Sequence, residues 1–186
     1  MSWKLAGAAM VMLGATPVAA QSWAAGAPDI LRFEQCLPEQ MAAFEARLSA
    51  LPGYGVTVPM DAFNVHWVQH CGYLAIGICD VSAETFTCQR RMREVWLARA
   101  AELRAALPAP DSVTGDLAPL YAQVYVLSEG SNAGDDCDGQ SARAVTWCQA
   151  FQAVLKFEQS VWAWQVGRLA GVTGPLDWAD WAELER

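Results

Sequence analysis

His66 and His70 are the only two histidines of the chain. Four residues apart on a helix, their rings share one face, and two imidazoles so placed can hold one metal ion. Asp61 or Cys71 is close enough in sequence to add a third ligand. A third nitrogen ligand is impossible, and no glutamate follows the first histidine as in the helical zinc hydrolases. The pair is therefore a candidate for binding a metal, His66 and His70 being the ligands. The plainer reading, two histidines hydrogen-bonded or solvated on a partly exposed helix face, is preferred.

Other chemical motifs are sparse. The stretch Asn132-Ala-Gly-Asp-Asp-Cys-Asp-Gly139 has the acidic density of a calcium loop, but Val145 stands where an EF-hand needs its bidentate glutamate. An acidic turn leading into a helix N-terminus accounts for it better. The chain has no Gly-x-Ser-x-Gly and no glycine-rich phosphate loop. The paired carboxylates of a glycoside hydrolase meet only in space, and no motif nominates a pair. No cofactor is called for.

Six cysteines carry the strongest pattern. One arm reads Cys79-Asp80 to Thr87-Cys88-Gln89, the other Cys137-Asp138 to Thr146-Trp147-Cys148-Gln149. Each opens with Cys-Asp and closes with Cys-Gln. Without Cys-x-x-Cys spacing, redox and zinc chemistry are poorer readings than structural disulfides. The arms suggest local bridges Cys79–Cys88 and Cys137–Cys148, which leaves Cys36 and Cys71 to pair. Other connectivities remain open on sequence alone.

These residues need elements to position them, and apolar recurrence at helical spacing dominates. Pro38 suits a first helical turn, with Met41, Phe44, Leu48 and Leu51 after it up to Pro52-Gly53. Asp61 opens a second helix through Phe63, Val65, Trp67 and Val68 to around Leu74, and Gly72 and Gly77 weaken its C-terminal end. A third starts at Asp80 or Ser82. It carries Phe86, Met92, Val95, Trp96, Leu103 and Leu107 on one face, with Arg90, Arg91, Arg93, Arg99, Glu102 and Arg104 on a solvated one. A fourth starts near Asp116 and buries Leu117, Leu120, Tyr121, Val124 and Leu127. The fifth, Ser141 to Leu169, is apolar around most of its circumference and belongs in the middle of a bundle. A short helix after Pro175 carries Trp178 and Trp181, which dock on the bundle or offer an aromatic contact to a partner.

The N-terminus has the form of a secretory signal: Lys4, an apolar Leu5–Leu13 stretch, and small residues Val18-Ala19-Ala20 before a cleavage site. Such a stretch is shorter than the ~20 apolar residues a membrane span needs. Residues 1–20 are expected as a cleaved signal peptide, 21–35 as a loose lead and 36–186 as one helical domain. The formal net charge is −8, and cleavage removes Lys4 and no acid. That balance argues against nucleic acid and anionic lipid, and suits a basic protein partner or a neutral ligand. The leader and the arginine-over-lysine bias point to a bacterial periplasm or secretion.

Leu155-x3-Gln159-x2-Trp162, downstream of spaced cysteines, is similar to a stretch of the LprI-like periplasmic lysozyme-inhibitor family. Val166 stands where that family has arginine, and the likeness covers only this short stretch. It implies a small exported helical inhibitor; an acidic chain facing a basic lysozyme fits. The expectation is an all-α, disulfide-stapled up-and-down helical bundle of about five to six helices. Its expected function is that of a non-catalytic binding or inhibitor-type protein. A metal-binding protein or a hydrolase with paired carboxylates is the alternative.

Overall fold

The computed structural model describes residues 30–50, 60–130, 137–139 and 141–176. Residues 1–20, expected as a signal peptide, and the terminal stretch with Trp178 and Trp181 lie outside the described residues. Among the described residues five helices succeed one another: α1 (Ile30–Ala50), α2 (Trp67–Asp80), α3 (Thr85–Ala106), α4 (Ala118–Gly130) and α5 (Ala142–Leu169). Short 3-10 turns at Met60–Phe63 and Pro110–Ser112 separate them. No strand occurs among the described residues. The fold is an all-α, disulfide-stapled up-and-down bundle, with α1, α3 and α5 running one way and α2 and α4 the other.

α5 is the central element, packed against α2, α3 and α4. Its Ala150, Ala153, Val154, Phe157, Val161 and Val166 are all fully buried. One core cluster joins α1, α2, α3 and α5 through Phe44, Val68, Ile76, Trp96, Val154 and Phe157. A second, under α4, holds Leu107, Val113, Tyr121, Val124, Ala163 and Val166. Burying each larger side chain contributes roughly 1.5–3 kcal/mol, so the apolar faces outweigh any single polar contact. Ser141 caps α5, its Oγ accepting from the Ala144 N–H at 3.4 Å. At the far end Gly171, with φ 77°, lets the chain leave α5 in a left-handed turn. There Arg168 donates to both oxygens of Glu45 on α1, at 2.6 and 2.7 Å.

Three disulfides staple the bundle. Cys36–Cys71 ties α1 to α2, Cys79–Cys88 closes the α2–α3 turn, and Cys137–Cys148 ties the approach to α5 onto α5 itself. Each stabilises by about 2–4 kcal/mol, mainly by restricting the unfolded chain.

Several elements differ from expectation for physical reasons. α1 starts at Ile30, within the stretch read as a loose lead, and Pro38 lies inside it. Burial of Cys36 and Leu37, with the bridge to Cys71, secures the turn before the proline. α2 starts later than Asp61 and runs through both glycines to Asp80. Burial of Ala75, Ile76, Ile78 and Cys79 overrides the cost of about 1 kcal/mol for a helical glycine. On α3 the solvated face fails at Arg99, which is 1% exposed and lies over the Trp96 ring. Arg104 covers Tyr125 and pairs with Glu129. Phe86 and Leu127, read as core, are exposed.

The two glycines of α2 predict opposite outcomes. A Cβ on Gly72 would overlap the Val154 side chain, whereas one on Gly77 meets nothing within 4 Å. Gly72→Ala is expected to lose roughly 1–3 kcal/mol in urea unfolding. Gly77→Ala is expected to gain up to about 1 kcal/mol in the same measurement.

Tyr121 gives a second prediction. It is fully buried and its hydroxyl donates to the Pro108 carbonyl at 2.7 Å. Burial, helped by Tyr125 and opposed by Arg104, raises its pKa above the usual 10.0. The folded state thus keeps a proton that the unfolded chain releases first. Stability from this group is complete below the unfolded pKa and declines as pH rises through the folded one. Ultraviolet titration of the native protein should show a late-ionising tyrosine that Tyr121→Phe lacks.

A candidate binding cleft between the two cysteine arms

The arms meet at one end of the bundle. Cys79 and Asp80 end α2, Cys88 and Gln89 fall early in α3, and Thr146 to Cys148 fall early in α5. Gln89 is fully buried and uses both ends of its amide. Its Nε2 donates to Asp80 Oδ1 at 2.7 Å, and its Oε1 accepts from Thr146 Oγ1 at 2.6 Å. The result is a relay from α5 through α3 to the last residue of α2. It holds the Asp80 carboxylate at the mouth of a cleft while Oδ2 makes no bond to the protein among the described residues.

That cleft has a volume of about 440 Å³ and is lined by Asp80, Ser141, Arg143, Ala144, Trp147 and Cys148. Arg143 is mostly exposed, and its Nη2 stands 3.9 Å from Asp80 Oδ1. At that distance no hydrogen bond forms, and an exposed pair of this kind is worth about 0–1 kcal/mol. Trp147 begins an aromatic stack. Its ring lies 5.4 Å from Phe151, which lies 4.7 Å from Tyr73 on α2. Tyr73 is 49% exposed, and the space above Gly77, one turn further along α2, is open. The surface therefore combines an apolar floor, one oriented carboxylate and one exposed guanidinium. The second arm builds no matching pair: Asp138 is exposed, Gln149 is half-buried, and no hydrogen bond joins them.

The histidines occupy the opposite end of α2. His66 is the residue before the helix and His70 lies in its first turn. His66 Nδ1 is 3.0 Å from Glu158 Oε1 on α5, although the imidazole is 77% exposed. Glu158 is buried, and its other oxygen accepts from Gln69 Nε2 at 2.6 Å. His70 is exposed. Cys71 is bridged to Cys36 and cannot act as a thiolate ligand. Among the described residues no group of three or more His, Cys, Asp and Glu is gathered for a metal. The geometry uses His66 and Gln69 to satisfy a buried carboxylate and so fasten the start of α2 to α5.

Sequence reasoning singled out the arms for their cysteines and did not read Asp80, Gln89, Thr146 and Arg143 as a site. The signal was present in the shared Cys-Asp and Cys-Gln pairs. Comparison of the chain with family models, curated proteins and solved structures returned no match. The short likeness around Gln159 and Trp162 therefore assigns no family.

Gln89→Leu removes both bonds of the relay and leaves the Thr146 hydroxyl only the Ala142 and Arg143 carbonyls of its own helix. Urea unfolding should show a loss of about 1–3 kcal/mol. A double-mutant cycle with Thr146→Val should give a non-zero coupling; strict additivity would mean the relay contributes nothing.

Proposed function

We propose that this protein is a non-catalytic binding or inhibitor-type protein of an exported, oxidising compartment, a bacterial periplasm or the cell exterior. It acts through the cleft between its cysteine arms. The observation that carries this reading is the fully buried Gln89, whose amide oxygen is held by Thr146 while its N–H fixes the Asp80 carboxylate beside an aromatic stack. A core amide serving packing alone has no need to aim a carboxylate at an open cleft. Preorganised polar groups against an apolar wall are the usual construction of a small-ligand site. Three disulfides and the N-terminal leader favour an oxidising destination. The acidic balance favours a neutral or basic partner over a nucleic acid.

The test is retention of ligand or partner from an envelope extract by immobilised protein. Trp147→Ala should abolish retention, and Trp178→Ala and Trp181→Ala should leave it intact. The reverse result would move the contact to the terminal segment and end the cleft reading.

A second reading, metal binding by His66 and His70, has one observation in its favour. Both residues are exposed and stand one helical turn apart. Elemental analysis after loading with zinc, with His66→Ala and His70→Ala as controls, decides it; equal metal content in all three forms rejects it.

A further inference from the structure

We infer that the occupant of this cleft is a small zwitterion with an apolar side group, an aromatic α-amino acid in free form. The inference rests on the cleft being the binding site and goes on to name what fills it. Three features converge. The cleft holds one acid and one base, Asp80 and Arg143, separated by 3.9 Å. Its volume of about 440 Å³ suits a molecule of amino-acid size. Its apolar wall is the Trp147 ring, continued by Phe151 and Tyr73.

Charge selects among ligands. A simple anion that reaches Arg143 is repelled by Asp80, and a simple cation meets the converse. A neutral sugar must desolvate both charged groups and returns no opposite charge to either. A zwitterion replaces each half of the loose pair with a closer partner. Its ammonium donates to Asp80 Oδ2, which bonds no described residue while Gln89 takes Oδ1. Its carboxylate accepts from the planar fork of Arg143, a geometry guanidinium favours. The side group of the ligand then lies on Trp147. Because Gln89 already fixes Asp80, little ordering remains for the ligand to impose.

The probe is L-phenylalanine, followed by calorimetry and tryptophan fluorescence on the intact chain. Phenylalanine amide lacks the carboxylate, 3-phenylpropionate lacks the ammonium, and glucose lacks both charges. Phenylalanine should bind at least about tenfold more tightly than any of the three, the worth of one charge-assisted contact. Arg143→Gln should weaken phenylalanine about tenfold and leave the amide unchanged. Asp80→Asn should weaken phenylalanine similarly and leave 3-phenylpropionate no weaker. Circular dichroism checks that both variants fold. Equal binding of phenylalanine and either half-ligand, preference for glucose, or no heat at millimolar phenylalanine overturns the inference. If phenylalanine fails while Trp147→Ala still abolishes retention from extract, only the zwitterion is lost. If both fail, the cleft reading falls with it.

Discussion

The crossing of α2 over α5 sets the rest of the structure. Gly72 lies against Val154 so closely that no side chain fits between them. This contact fixes an antiparallel register, on which three further contacts depend. On one side of the crossing, Gln69 and His66 reach Glu158. Beside it, Tyr73 stacks on Phe151. At the far end, Asp80 comes level with Arg143. A slip of one helical turn would separate all three pairs at once. The glycine that weakens α2 as an isolated helix is thus what allows α2 to pack, and packing is the larger effect.

Polar contacts in this bundle divide by burial. Exposed pairs such as Arg143 with Asp80 add little to stability. Two buried groups are held by bonds instead. Glu158 must be satisfied by Gln69 and His66, and Gln89 by Asp80 and Thr146, because an unmet buried polar group costs about 1–3 kcal/mol. These bonds fix orientation more than they add free energy. The disulfides work on the other state, limiting the freedom of the unfolded chain.

The legibility of the fold tracked how local its causes were. α5 was readable because its cap at Ser141 and its apolar circumference are local signals. The all-α class and the stapled bundle were legible in helical spacing and cysteine number. α2 was misjudged because its length depends on a neighbour that tolerates Gly72 only as glycine. Arg99 was misplaced because a charge run looks solvated until Trp96 and its surroundings are known. The candidate site was hidden for the same reason. Asp80, Gln89 and Thr146 come from three helices, and Gln89 and Thr146 are 57 residues apart. The arms showed that these residue types recur, but not that the arms touch.

How the arms touch also explains why only one of them, among the described residues, joins its glutamine to its aspartate. Gln89 is the fifth residue of α3 and Thr146 the fifth of α5, so two parallel helices present equivalent positions to one another. Their cysteines are not equivalent. Cys88 is the fourth residue of α3, whereas Cys148 is the seventh of α5. The second bridge therefore joins α5 almost one turn deeper, and carries Gln149 past the level at which it could face Asp138. That offset leaves Thr146, not a second glutamine, at the meeting point. A hydroxyl can donate to the Gln89 carbonyl while the glutamine keeps its N–H for Asp80. The two arms are thus similar in sequence without being the same in the fold.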